Sequence, residues 1–223
     1  MDADVLRAAL YAATGETQAL VNQFGLASRA SPGARLAADG DFRTALRRAF
    51  QIGRAETVSM QQSLGGHGVL DEPCDVVVAG RTRTPQLAAQ ISWHPRGEDH
   101  AGFAMDAVGA LLKLGLARAR GATEQAVVVV AAPAKFWRWL PDYASDHPAL
   151  DVLDPDPETP ASITTDFLAS TAWEPLFDEG MDTELPERLW SAAVASASVA
   201  SPWIDLELRM LEVKGLGQIA EVR

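Results

Sequence analysis

Two histidines and two acids lie within one short polar segment, from His94 to His100. Imidazole nitrogens and carboxylate oxygens are common ligands of transition metals, so this segment could bind such an ion. The same residue types are frequent in polar turns, and Asp99 can serve as the N-cap of a following helix. We favour the turn, and the metal site stays an open alternative.

A group of aromatic side chains follows the most apolar run of the chain, with Lys135 and Arg138 among them. Its members are Phe136, Trp137, Trp139 and Tyr143. Aromatic rings beside cations can stack on nucleobases or anchor a protein partner. They can equally close one end of a core, which we favour. If the group binds a partner, we expect Phe136, Trp137 and Trp139 to contact it.

The elements that must position these residues alternate between helix and strand. Periodicity predicts helices at 4–14, 17–24, 42–50 (continuing toward Leu64) and 99–120, and strands at 74–79, 87–93, 126–132, 203–213 and 218–222. The unbroken apolar run 126–132 is typical of a central strand that is covered on both faces. The helix before it is then a right-handed crossover within one mixed sheet.

The prolines and acids at 141–160 predict an exposed loop. The two strands after residue 203 predict a C-terminal hairpin that completes the same sheet. We therefore expect one domain over residues 1–223. Its fold class is α/β, with a central mixed sheet flanked by helices and a helical N-terminal part.

The order of these elements over about residues 43–132 resembles the core of the PD-(D/E)-x-K nuclease superfamily. The resemblance rests on Pro73-Cys74-Asp75 before Val76–Val78, and on Gln90-Ile91-Ser92 in the next strand. It implies a restriction-endonuclease-like core in which Asp75, and Glu56 on the preceding helix, would be metal ligands. In that family the acids hold Mg²⁺, which polarises the phosphate and lowers the pKa of a bound water.

The second strand departs from the family pattern. Gln90 stands where the family has an acid, and Ser92 stands where it has a lysine. Losing both charges weakens Mg²⁺ binding and the activation of water, which implies a decayed site. An active variant would hold Mg²⁺ with Glu56, Asp75 and Gln90, and another residue or subunit would supply the missing charge. Without the resemblance, Asp75 is simply a polar residue at a strand edge.

The acid-x-lysine string itself occurs elsewhere, as Glu212-Val213-Lys214, with Asp205 and Glu207 upstream. No turn separates Asp205 from Glu212, so both would lie on one strand instead of on two neighbouring strands. Charges that alternate with apolar residues are also typical of a half-buried strand. We interpret this string as strand surface.

Net charge and composition limit the class of protein. The formal charge of −11 would repel a phosphate backbone, which disfavours nucleic acid as a partner. The single cysteine rules out an internal disulfide and suits a reducing compartment. No signal peptide and no run of about 20 apolar residues is evident, so we expect a cytoplasmic protein without a membrane partner.

Together these features predict a non-catalytic nuclease-fold domain that acts through a protein partner or within an assembly, with no cofactor. The first alternative is a Mg²⁺-dependent nuclease with a variant metal site. The second is an acidic regulatory or inhibitory protein that mimics the charge of nucleic acid. The sequence points to no particular partner or oligomeric state.

Overall fold

The helices and strands alternate along the chain. The computed structural model describes residues 1–27, 33–52, 57–65, 71–94, 99–156, 158–164, 188–200 and 205–214. The helices are α1 (Ala3–Ala27), α2 (Gly33–Gln51), α3 (His100–Ala119) and α4 (Ala134–Ala144), followed by a 3-10 helix, Pro148–Leu153. The strands are β1 (Val58–Gln62), β2 (Cys74–Val78), β3 (Leu87–Trp93), β4 (Ala126–Pro133), β5 (Ala161–Thr164), β6 (Arg188–Ala200) and β7 (Asp205–Lys214).

These strands form one seven-stranded mixed sheet in the order β1-β2-β3-β4-β7-β6-β5. β3 and β4 run parallel because α3 connects them, and the other neighbouring pairs are antiparallel. β4 lies at the centre with all but its last residue buried, which explains its unbroken apolar sequence. The predicted α/β class with a mixed sheet and a helical N-terminal part is confirmed.

Helices cover both faces of the sheet. On the first face, here called the α2 face, leucines and phenylalanines of α1 and α2 form one apolar cluster with Val127 and Val129 of β4. On the second, the α3 face, α3 and α4 pack on β4, and the 3-10 helix belongs to the same apolar cluster as Val128 and Val130. Alternation along each strand therefore decides which helical layer a side chain meets. Among the described helices, none combines the length and apolar character needed to cross a membrane.

The predicted elements at 74–79, 87–93, 99–120 and 126–132 are confirmed within about two residues. The helices predicted at 4–14 and 17–24 are one continuous helix, α1, because Gly15 costs only about 1 kcal/mol in a helix interior. The helix predicted to continue toward Leu64 instead ends at Gln51, and β1 follows.

The C-terminal hairpin also differs from the prediction. β7 matches the strand predicted at 203–213, but its hairpin partner is β6, which lies before it in the chain. The strand predicted at 218–222 lies outside the described residues. The loop predicted at 141–160 contains the last turn of α4 and the 3-10 helix.

Candidate functional site

Asp75, the acid that the resemblance places at the metal site, is buried at the start of β2 and is only 3% exposed. Its Oδ2 accepts the backbone N–H of Ile91 at 2.6 Å, and its Oδ1 accepts the amide N–H of Gln61 at 2.9 Å. The guanidinium of Arg43 forms an ion pair with Oδ1. One carboxylate thus connects β1, β3 and α2.

Arg43 is the positively charged partner of the Asp75 carboxylate. Its Nε lies 2.7 Å from Oδ1 of Asp39, one helical turn earlier in α2, and its Nη2 donates to the carbonyl of Ile91 at 3.1 Å. Burial alone would lower the pKa of Arg43, but the charges and hydrogen bonds of Asp75 and Asp39 outweigh it and raise the pKa above its ordinary value. Arg43 therefore stays charged and neutralises Asp75.

The sheet is irregular where Asp75 lies. The pairing of β2 with β3 extends from Val78 only as far as Val76, so the Asp75 carboxylate, and not a strand carbonyl, receives the N–H of Ile91. Gln61, on the other side, has a positive φ of 51°, which is uncommon for a residue other than glycine. This local distortion lets two neighbouring strands deliver donors to one buried acid.

Of the other residues predicted for this site, Gln90 and Ser92 do not join Asp75. Gln90 and Ser92 alternate with Ile91, so their side chains lie on the α3 face together with Ala88, whereas the Asp75 carboxylate meets Arg43 of α2. Glu56 lies outside the described residues. The structure therefore supplies no common centre for Asp75 and Gln90, which counts against their sharing a metal ion.

Lys113 is a buried cation that the sequence analysis missed. It lies on α3 between Leu112 and Leu114, and its Nζ donates to the carbonyl of Pro73 at 3.2 Å. The carboxylate of Glu72 lies 3.6 Å away. A lysine inside the apolar stripe of a helix is the sequence signal that could have identified it. Like Gln90, it lies on the α3 side of the sheet.

The His94–His100 segment brings two imidazoles into contact. Nε2 of His94 and Nδ1 of His100 are 3.0 Å apart, and the His94 ring stacks on Phe103 with centroids 4.4 Å apart. Burial, aided by the nearby charges of His100 and Lys135, lowers the pKa of His94 from 6.5 to about 4. As the turn interpretation predicts, Asp99 caps α3 by accepting the Gly102 N–H at 2.9 Å.

The predicted partner-binding aromatics divide between core and surface. Phe136 and Trp137 are buried, so they pack in the core and offer no surface to a partner. Trp139 is half-buried and begins a stacked row with Tyr143 and His147, with centroid separations of 4.5 and 4.0 Å. Only Trp139, of the three predicted residues, retains exposed surface.

A groove of about 490 Å³ lies beside β6. Its lining includes Arg7, Asp154, Glu207, Arg209 and residues 193–196. The pairing of β6 with β7 shifts register between Ala193 and Ala195, and this bulge lies in the groove. Arg209 forms ion pairs with Asp154 and Glu207.

Most of the outer edge of β6 pairs with no other described strand. β5 pairs only with residues 188–191, and in the described part of the chain no strand pairs with the outer edge of residues 192–200. At the end of this edge, the side-chain amide of Gln18 accepts the Ala200 N–H at 2.7 Å and donates to the Ala200 carbonyl at 2.8 Å. These are the two hydrogen bonds that an antiparallel neighbouring strand would make.

The acid-x-lysine string of β7 forms a local ion pair. Lys214 Nζ lies 2.5 Å from Oε2 of Glu212, and Gln125 donates to Oε1 of the same carboxylate at 2.9 Å. Asp205 lies at the other end of the same strand, which over seven residues is about 23 Å away. The string therefore has no second acid nearby on β7.

Comparisons with protein-family models, with curated proteins and with solved structures find no match. The relationship to the PD-(D/E)-x-K superfamily therefore stays a prediction.

Proposed function

We propose that this chain is a non-catalytic domain that binds a partner protein. The observation that carries the proposal is the ion pair between Asp75 and Arg43. A buried carboxylate that already accepts two N–H groups and is paired with a guanidinium would have to bind Mg²⁺ against that neighbouring positive charge. The arginine thus provides the positive charge that a metal would provide in a nuclease, and Asp75 serves the stability of the sheet.

The surface we propose for the partner is the outer edge of β6. Because Ala200 directs its N–H and carbonyl outward to Gln18, the period of two along a strand directs those of Ser196 and Ser198 outward as well. An extended segment can add to such an edge through main-chain hydrogen bonds. Residues 192–200 contain no proline, lysine or other charged side chain that would protect the edge.

Charge favours a basic segment as the occupant. Arg209 is shared by two carboxylates, Asp154 and Glu207, and Arg7 is paired with Asp4. The lining of the groove holds two arginines and two carboxylates and is close to neutral, so the preference for a basic segment comes from the charge of the whole chain. The whole chain carries a net charge of −11, which would attract a basic partner from a distance.

The edge can be tested with two variants of one residue. Ser196→Pro removes the outward N–H, whereas Ser196→Ala keeps it. Proteins that bind the wild-type domain are first identified. The segment of each protein that makes the contact is then added to the purified domain as a synthetic peptide. We expect a basic peptide to slow amide hydrogen exchange in residues 192–200 and to bind Ser196→Ala but not Ser196→Pro. Equal binding to both variants would contradict the proposed edge.

One observation favours a metal-dependent nuclease as the second candidate. The buried Oε1 of Gln90 has no hydrogen-bond partner among the described residues, and the buried Lys113 lies on the same side of the sheet. Lys113 could therefore supply the charge that Ser92 lacks. DNA and RNA substrates incubated with Mg²⁺ or Mn²⁺ test this candidate. Cleavage that is lost in Gln90→Leu and Lys113→Met would establish the nuclease and overturn the non-catalytic function.

A further inference from the structure

The contact between His94 and His100 has the dimensions of a pair of metal ligands. Two nitrogens that each lie 2.0–2.1 Å from one ion, at a right angle, are about 2.9 Å apart. The observed separation of Nε2 and Nδ1 is 3.0 Å. We propose that His94 and His100 bind one Cu²⁺ ion as neighbouring ligands, since square-planar or tetragonal nitrogen sites are typical of Cu²⁺.

The surrounding rings hold both imidazoles in place before any ion binds. His94 stacks on Phe103, and its backbone N–H donates to the carbonyl of Ala131 at 2.8 Å. The His100 ring contacts Phe136 and Trp139, with centroids 5.6 and 5.3 Å away. Fixed ligands lose little conformational freedom on binding, which offsets the small number of protein ligands in the site.

Binding replaces the hydrogen bond between the two rings. One ring donates its N–H to the other in the free protein, and on binding that proton moves to the second nitrogen of the same ring. Both rings are then neutral ligands, and no net proton is released. Burial favours the neutral form of each ring, Lys135 opposes a bound cation, and Asp99 favours one. Water can fill the remaining positions because His100 is only half-buried.

Within the parts of the chain that the structure describes, no set of three or more histidine, cysteine or acidic side chains is arranged around a common point. The proposed site therefore has two protein ligands. We expect one Cu²⁺ per chain with micromolar affinity, and weaker binding of Ni²⁺ and Zn²⁺, in the usual order of divalent affinities.

Calorimetric titration of the untagged protein with CuCl₂ at neutral pH tests the site. We expect His100→Gln to weaken binding at least about tenfold, because it removes a direct ligand. His147→Gln is the matched control, since His147 is exposed and lies on the neighbouring aromatic row. No binding at millimolar Cu²⁺, or equal affinity in wild type and His100→Gln, would overturn the proposal.

Fluorescence locates the ion independently of affinity. Bound Cu²⁺ quenches nearby tryptophan emission, and the Trp139 ring lies 5.3 Å from the His100 ring. We expect Trp139→Phe, which keeps an aromatic ring beside His100, to lose part of the quenching. Unchanged quenching in that variant would place the ion elsewhere and also overturn the proposal.

Discussion

The Asp75 carboxylate is stabilised by donors from three elements of the fold, Gln61, Ile91 and Arg43. A buried charge of this kind is tolerated only while it is paired and hydrogen-bonded. The same contacts make Arg43, on α2, a structural residue.

Replacing Arg43 with methionine should therefore destabilise the fold strongly. Because the change leaves the Asp75 charge buried and unpaired, we expect a loss of about 3–5 kcal/mol in the free energy of unfolding, measured in urea. Arg48→Met is the control, since Arg48 pairs with Glu16 at the surface and should cost at most about 1 kcal/mol. The double change Arg43→Met with Asp75→Asn should recover much of the loss. Equal losses of unfolding free energy in Arg43→Met and Arg48→Met would contradict the structural role of Arg43.

His94 should make stability depend on pH. Its pKa is about 4 in the folded protein and 6.5 ordinarily, so below pH 6.5 the unfolded chain binds a proton that the folded ring excludes. His94 therefore does not reduce the free energy of unfolding above pH 6.5. As the pH falls from 6.5 to about 4, the free energy of unfolding decreases by up to about 3 kcal/mol. Denaturant unfolding across this range should show a shallower pH slope in His94→Asn, and an unchanged slope in the exposed-site control His147→Asn.

The sequence singled out Asp75 but could not predict its partner. Arg43 lies on a helix far from Asp75 in the chain, and only the packing of α2 on β1 and β2 brings the two charges together. The same reason explains Lys113, whose carbonyl partner, Pro73, lies forty residues earlier in the chain. Site residues that depend on long-range packing are not visible in local spacing.

At the level of elements, residue type decided which strands could be predicted. β2 and β4 are rich in valine, which favours strands, and both were predicted. β6 consists largely of alanine and serine, which carry little strand signal, and it was missed. β1 was missed because its last two residues are exposed glutamines, so it lacks a clear alternation. β6 forms because β7 pairs with it over most of its length.

Gln18 should protect the open edge of β6. Removing its amide in Gln18→Ala leaves the N–H and carbonyl of Ala200 without those hydrogen bonds, at a cost of about 1 kcal/mol. We expect faster hydrogen exchange of the Ala200 amide and more self-association at high concentration. Gln23→Ala, an exposed change on the same helix, should alter neither. Unchanged exchange at Ala200 would show that Gln18 does not protect the edge.

For the whole molecule, the sheet joins an N-terminal half to a C-terminal half along β4. β3 pairs with one edge of β4, and β7 pairs with the other from Val127 to Pro133. The sequence predicted the first of these pairings through the α3 crossover. It did not predict the second, because β7 was assigned to a terminal hairpin.

This central position of β4 has a consequence for synthesis on the ribosome. Chains emerge N-terminus first, so β4 leaves the ribosome about eighty residues before the strand that covers its second edge. Until β7 follows, a nascent chain presents an apolar edge that could pair with other nascent chains. We therefore expect chaperones to bind this protein most strongly in the interval between the synthesis of β4 and that of β7.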